Sequence, residues 1–147
     1  EDRVQLLGSM SPEEVRCHME ASELFLFTSD RNEGWGAVLN ESMNSGCAVV
    51  ACKAIGSVPF LIREGESGLT YESGDVAQLY SHVKTLLDDA ERCRALGRKA
   101  YATMAGQWNA DAAAQRLLAL SEALLQGERQ PSLYEEGPCS RAKILRG

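Results

Sequence analysis

The sequence lacks any sustained run of lysine or arginine. Its 15 basic residues are outnumbered by 21 acidic ones, which gives a formal net charge of −6. Nucleic acids and anionic membrane surfaces require a concentrated basic patch, so the charge pattern argues against both as partners. We therefore predict a protein that does not bind nucleic acid.

Metal-ligand patterns are also missing. The chain has two histidines and five cysteines, the cysteines are widely spaced, and no CxxC pair occurs. Apart from the adjacent pair Cys17 and His18, no histidine lies near a cysteine or a second histidine, so we predict no metal site. The odd number of cysteines suits free or buried thiols in a reducing compartment.

Long apolar segments are absent as well. No run reaches the ~18 residues of a membrane span, and the N-terminus EDRVQLLG lacks the basic head and apolar core of a secretion signal. We expect a cytoplasmic protein, whose full-length form is either free or attached at the membrane surface. Because an apolar segment follows almost at once, we also expect the sequence to begin inside a domain.

What the sequence does contain is an alternation of short apolar segments and helical patterns. The predicted strands are Val4–Gly8, Leu24–Thr28, Ala48–Ala51 and Gly68–Tyr71. Helices between them begin at the capping sequence SPEE and at AVLNESM. This order predicts the α/β class, a doubly wound parallel sheet whose ligands bind beyond the carboxyl ends of the strands.

Three helices are predicted after the last strand, beginning at Asp75, Ala90 and Ala110. Their apolar stripes are interpreted as core; the stripe residues of the first are Val76, Leu79, Tyr80, Val83, Leu86 and Leu87, and those of the last are Ala113, Leu117, Leu120 and Leu124. Periodicity is lost from Gly127 onward. We therefore divide the chain into a domain at 1–126 and a tail or docking segment at 127–147.

The segment EGWGAVLNE carries the strongest functional signal. It follows the predicted strand Leu24–Thr28 at its carboxyl end, and Gly34 and Gly36 permit close backbone approach just before a helix. Free amides at a helix start form an anion site that suits a phosphate or diphosphate.

Two acids, Glu33 and Glu41, flank this segment. In one continuous helix their Cα atoms would lie ~12 Å apart along the axis, at 1.5 Å per residue. The carboxyls of a retaining glycoside hydrolase lie ~5–5.5 Å apart, so we interpret the two acids as separate hydrogen-bond acceptors. Acceptors beside an anion site suit the hydroxyls of a ribose and a hexose, which together describe a nucleotide-sugar.

The linked order EGWGAVLNE, SMNSGCAVVAC, GSVPFLIREGESGLTY and GD resembles the retaining glycosyltransferases of group 1, family 4. The resemblance covers about residues 4–126 and matches the C-terminal, donor-binding half of a GT-B fold, a Rossmann-like domain. It implies transfer of a glycosyl group from a UDP-, GDP- or ADP-sugar to a saccharide or lipid-linked acceptor, as in polysaccharide biosynthesis. It implies neither a cofactor nor a metal ion.

By the same resemblance Glu33 is the catalytic residue, which contacts hydroxyls of the transferred sugar, and Glu41 binds the ribose. Sugar and diphosphate would meet the backbone of Gly34, Trp35, Gly36, Ala37 and Val38. The nucleobase would lie near Gly8, Ser9 and Met10. Trp35 is interpreted either as a packing anchor or as a ring that stacks on the donor.

The chain departs from the family pattern at Phe60, where Gly-Gly-x-Pro-Glu has its glutamate. The family's phosphate-binding Arg and Lys, and its acceptor-binding N-terminal domain, would lie upstream of Val4. We therefore expect a truncated domain that is inactive alone. Two alternatives remain open: a non-catalytic nucleotide-binding or partner-docking module, and a GT-B-like sugar-nucleotide epimerase.

Overall fold

The computed structural model of the chain describes residues 3–129, 131 and 134–141. These residues form an α/β fold with a parallel sheet. In chain order its elements are α1 (Pro12–Glu20), β1 (Leu24–Phe27), a 3₁₀ turn (Arg31–Glu33), α2 (Val38–Asn44), β2 (Ala48–Cys52), α3 (Val58–Leu61), β3 (Leu69–Tyr71), α4 (Val76–Asp88), α5 (Ala90–Gly106) and α6 (Ala110–Leu125).

The sheet has the order β1-β2-β3, and both pairings are parallel. All residues of the central strand β2 are buried, and helices α2, α4 and α5 contact it. The three strands end at one edge of the sheet. The loop between β1 and α2 and the loop between β2 and α3 therefore meet there.

The predicted strand at Val4–Gly8 is wrong, because these residues pair with no strand of the described chain. Val4 is 75 % exposed and Leu6 is 97 % exposed. A strand is stable only when neighbours take up its backbone N–H and C=O groups, and β1 does not pair with this segment.

The helix starts predicted from capping residues are confirmed. Ser11 Oγ accepts from the Glu14 backbone N–H at 3.3 Å, and Glu14 Oε2 accepts from the Ser11 N–H at 2.8 Å, which completes a capping box. These hydrogen bonds lower the pKa of the Glu14 carboxyl. Asp75 caps α4 by accepting from the Gln78 N–H at 2.8 Å.

The core lies between the sheet, α2 and α5. Leu39 and Met43 of α2 are fully buried, and α5 packs against both α2 and β2. Helix α5 lies very close to the backbone before β2 at Gly97. An added Cβ there would lie 2.1 Å from the carbonyl oxygen of Gly46. The spacing between α5 and β2 thus depends on a residue without a side chain.

The apolar stripes of α4 and α6 were only partly predicted correctly. In α4, Leu86 is buried, whereas Val76, Tyr80 and Leu87 are 68–72 % exposed. In α6 no residue is buried, and Leu117 and Leu124 are more than half exposed. Periodicity identified both helices, but burial depends on what lies opposite, and no described element covers these faces.

Residues 134–141 of the tail fold back onto the chain itself. The guanidinium of Arg116 lies 4.0 Å from the centroid of the Tyr134 ring and donates to the Glu136 carbonyl oxygen at 2.6 Å. Glu136 also forms an ion pair with Arg63. The described part of the tail is thus held on α6 and on the loop after α3.

Candidate functional site

The loop between β1 and α2 has a defined backbone. Asp30 Oδ1 accepts from the Asn32 N–H at 2.8 Å and so caps the 3₁₀ turn. Gly34 and Gly36 follow with φ angles of 64° and 74°, a left-handed region that favours glycine. At Gly36 a Cβ would also lie 2.8 Å from the Phe27 ring, so only glycine fits this path.

Glu33 ends the 3₁₀ turn with its side chain exposed at the edge where the strands end. Its Oε2 accepts from the Ser29 hydroxyl at 2.8 Å. Its Oε1 has no hydrogen-bond partner within residues 3–129 or the described part of the tail. One oxygen thus orients the carboxylate while the other remains available to a hydroxyl of a ligand.

The start of α2 presents unpaired amides. Ala37 occupies the N-cap position and has no side-chain oxygen with which to cap the helix. The Leu39 N–H bonds to the Gly36 carbonyl at 3.0 Å, whereas the described residues provide no partner for the N–H groups of Ala37 and Val38. Helix α2 has 7 residues, so the site offers these N–H groups rather than the dipole of a long helix.

A second loop holds this one in place. The Gly56 N–H donates to the Gly34 carbonyl at 2.9 Å, and the Ser57 N–H donates to the Trp35 carbonyl at 3.1 Å. We call this pair of backbone hydrogen bonds the clasp. The hydroxyl of Ser57 is buried and has no partner among the described residues. The side chain of Ser57 therefore adds no hydrogen bond to the clasp.

Trp35 packs within an aromatic cluster. Its ring centroid lies 5.6 Å from that of Phe60 and 5.9 Å from that of Trp108, at interplanar angles of 36° and 46°. Its indole N–H donates to Asn40 Oδ1 at 2.9 Å. The residue is still 42 % exposed, so packing accounts for part of its surface only.

Sequence reasoning missed Asn40, Phe60 and Trp108 as members of this cluster. Phe60 was noted only as a departure from the family pattern. Trp108 follows the end of α5 and reaches Trp35 only through tertiary packing. No spacing in the sequence relates these two residues, so no local signal could have found the contact.

Glu41 lies on α2 with its side chain exposed. It lines a cleft of about 240 Å³ together with Pro12 and Arg16 of α1. It also lines one of about 310 Å³ with Trp108. Neither cleft includes Glu33.

The predicted base-side residues, Gly8 to Met10, immediately precede α1. Met10 is half-buried, and Gly8 and Ser9 are exposed. Because Pro12 lines the same cleft as Glu41, this segment enters the fold on the Glu41 side of the site. The structure thus places residues 33–38 together in one loop that leads into α2. Glu41 lies on α2, and residues 8–10 lie just before α1.

Two cationic residues, Lys53 and Arg31, lie near this edge of the sheet. Lys53 follows β2 and forms an ion pair with Glu72 at 2.6 Å. This hydrogen bond raises the pKa of the Lys53 ammonium. Arg31 is exposed at the start of the 3₁₀ turn.

Within the described residues, no group of three or more His, Cys, Asp or Glu side chains is placed to hold a metal ion. No helix in that part of the chain is both long and apolar enough to cross a membrane. A cleft of about 780 Å³ lies at the opposite, amino edge of the sheet, lined by Glu23, Gly46 and Arg94 among others.

Comparison with known proteins gives a consistent family. The profile described as "Glycosyl transferases group 1" matches residues 1–103. A D-inositol 3-phosphate glycosyltransferase of Corynebacterium efficiens is 34 % identical over 98 residues, which are 67 % of this chain and 23 % of that protein. The chain thus spans about a quarter of the length of this curated relative.

Solved structures agree with the sequence matches. The C-terminal domain of a group 1 glycosyl transferase, LpcC, from Francisella tularensis superposes with a TM-score of 0.65 at 25 % identity, covering 71 % of this chain and 53 % of that chain. HepE of Anabaena, solved with UDP and glucose, gives a TM-score of 0.69 at 26 % identity, covering 83 % of this chain and 33 % of that chain.

Proposed function

The chain belongs to the group 1 glycosyltransferases, and we propose that it forms the donor-binding part of a retaining, family 4 enzyme of that group. On this proposal it binds a nucleotide-diphosphate sugar. The remainder of an enzyme of its relatives' length supplies the acceptor-binding domain and the cations that neutralise the diphosphate. The chain by itself is then inactive in transfer.

The observation that carries the proposal is the loop at the carboxyl edge of the sheet. It presents two unpaired N–H groups, from Ala37 and Val38, beside the oriented carboxylate of Glu33. Amides suit the oxygens of a diphosphate, and a carboxylate oxygen suits a sugar hydroxyl. Glu41, further along α2, would accept from the ribose.

The donor is proposed to be a UDP-, GDP- or ADP-sugar. HepE, a structural neighbour, has been solved with UDP-glucose, which favours the uridine nucleotide among the three. The base would lie toward Gly8, Ser9 and Met10. Selection of the base would then depend on few contacts in a segment that the sheet does not restrain.

The proposed mechanism uses positioning and electrostatics. As the diphosphate leaves, positive charge develops at the anomeric carbon and negative charge develops on the leaving group. The N–H groups of the loop stabilise the leaving group, and Glu33 and Glu41 hold the two sugars in the reactive geometry. We propose that this chemistry proceeds without a metal ion. The acceptor is a saccharide or a lipid-linked saccharide, and the reaction takes place in the cytoplasm as a step of polysaccharide biosynthesis.

Glu33→Gln is expected to lower turnover of the full-length enzyme by about tenfold or more. Loss of a charged acceptor costs at least ~1.5 kcal/mol when its hydrogen bond forms in the transition state. The measurement is the steady-state rate of nucleotide release with saturating donor. Glu122→Gln, at an exposed position of α6, is the matched control and should keep the wild-type rate.

Turnover within about twofold of wild type for Glu33→Gln would contradict the proposed role, since one such hydrogen bond is worth more than that. The products decide among the classes of function. Label transferred from donor to an added acceptor supports the proposal. Interconversion of the free nucleotide-sugar would identify an epimerase, and binding without either reaction would identify a non-catalytic module.

A further inference from the structure

Asn40 connects the candidate donor loop to helix α5. Its Oδ1 accepts from the Trp35 indole N–H at 2.9 Å, and its Nδ2 lies 3.8 Å from Met104 Sδ, within the range of a hydrogen bond to sulfur. The side chain is half-buried between the loop and α5. We propose that Asn40 is a positioning residue that fixes the Trp35 indole and, through it, the backbone of residues 34–38.

The relevance of this inference to a donor rests on the proposed function, because residues 34–38 are the backbone that would meet the sugar and diphosphate. The contact itself does not depend on any ligand. The two can therefore be tested separately.

Trp35 is restrained on three sides. The clasp holds its carbonyl through the Ser57 N–H at 3.1 Å. Phe60 and Trp108 pack against its ring at centroid distances of 5.6 and 5.9 Å. Aromatic pairs accept both offset-stacked and edge-to-face arrangements, whereas a hydrogen bond is directional. Asn40 is thus the contact that selects one orientation of the indole.

The exposure of Trp35 makes it possible to distinguish a positioning role of Asn40 from a role in the stability of the fold. Because Trp35 is 42 % exposed and its hydrogen bond to Asn40 lies at the surface, water can satisfy the indole N–H when Asn40 is removed. The buried core residues of α2, Leu39 and Met43, point elsewhere and keep their contacts. Loss of Asn40 should therefore disorder the loop while the fold remains intact.

The first test needs no nucleotide. The chain has two tryptophans, so Trp35→Phe assigns the two indole N–H resonances in a proton–nitrogen NMR spectrum. In Asn40→Ala the Trp35 indole N–H should shift and exchange faster with water, and the amides of residues 34–38 should shift or broaden. The urea midpoint should be unchanged. Asn40→Asp retains an acceptor oxygen and should preserve the indole signal, as should Gln115→Ala at an exposed position of α6.

The second test is a double-mutant cycle on nucleotide affinity. Asn40→Ala and Trp35→Phe should each weaken UDP binding by about fivefold, the order of one neutral hydrogen bond. The double variant should also lose about fivefold, because both changes remove the same contact. Gln115→Ala, at an exposed position of α6, should bind within about twofold of wild type.

An unchanged indole signal and unchanged loop amides in Asn40→Ala would overturn the inference. So would additive losses in the double variant, about twenty-five-fold in all by the same reasoning. If wild type bound no nucleotide, the proposed function would fail, and the indole and amide signals would still decide whether Asn40 positions the loop.

Discussion

Gly56→Ala is expected to weaken nucleotide binding by about tenfold or more. A Cβ at this position would lie 2.2 Å from the Gly34 carbonyl oxygen and 3.0 Å from the Gly34 carbonyl carbon. Both are backbone atoms, so no side chain can rotate away to make room. Either the clasp opens or the loop that carries Glu33 moves, and the free N–H groups of α2 lose their arrangement.

The size of the effect follows from what must give way. Overpacking in a well-packed site costs about 1–3 kcal/mol, and the 2.9 Å hydrogen bond from Gly56 to Gly34 adds about 1 kcal/mol if it breaks. Two kcal/mol of distortion in the binding geometry corresponds to roughly thirtyfold in affinity. Isothermal titration with UDP and its sugar conjugate measures this loss directly.

Gly106→Ala is the control for Gly56→Ala, because a Cβ at Gly106 meets no atom within 4 Å. Its affinity should equal that of wild type. A folded Gly56→Ala variant that binds nucleotide within twofold of wild type would show that the clasp does not position the loop.

The second large effect is expected on stability, at Gly97→Ala. Gly97 is buried in α5, and an added Cβ would lie 2.1 Å from the Gly46 carbonyl oxygen and 3.3 Å from the Ala48 backbone nitrogen. The helix would have to move away from β2, which opens the packing between α5, α2 and the sheet. The free energy of unfolding should fall by about 2 kcal/mol, within the range found for overpacked cores.

Gly106→Ala in the same helix is the matched control. Helix propensity alone would raise the free energy of unfolding in both variants, the opposite of what is expected for Gly97→Ala. Alanine is favoured over glycine in a helix by up to about 1 kcal/mol, so Gly106→Ala should leave the protein equally stable or stabilise it slightly. Urea unfolding followed by circular dichroism compares the two variants at constant m-value. A Gly97→Ala protein as stable as Gly106→Ala would contradict the close approach of α5 to β2.

The elements that could be predicted from the sequence are those fixed by local chemistry. Ser11 and Asp75 cap the helices that follow them, because a cap bonds to an N–H only three residues away. The strands β1 and β2 were recognisable as continuous apolar runs, but only β2 is buried along its whole length, since Leu26 of β1 is 43 % exposed. Such signals require no knowledge of the rest of the chain.

The features that could not be predicted depend on distant parts of the chain. Val4 and Leu6 have the residues of a strand but no partner strand, and Leu117 lies on an apolar stripe with nothing opposite it in the described chain. Residue type and period indicate which structure a segment can adopt. Pairing and burial are decided by the neighbours that it meets.

The candidate site divides in the same way. The loop that carries Glu33 could be found from the linked order of motifs. Its backbone requires positive φ angles, which favour glycine, so the glycine positions are visible in the sequence. No periodic pattern in the sequence indicates the tertiary contacts of the site. These are the clasp from Gly56, the hydrogen bond from Ser29 to Glu33 and the ring contact of Trp35 with Trp108. They arise only when the two loops meet at the edge of the sheet.

The central claim is that the loop between β1 and α2 binds the diphosphate and sugars of a nucleotide-sugar. The most direct measurement is an NMR titration of the 147-residue chain with UDP, GDP, ADP and a matching nucleotide-sugar, repeated with Glu41→Ala. The account predicts saturable shifts at Trp35 and at the amides of residues 36–38 for one nucleotide, weaker in Glu41→Ala and unchanged in Glu122→Ala. Shifts confined to other surfaces, or none at millimolar concentrations of every nucleotide, would contradict it.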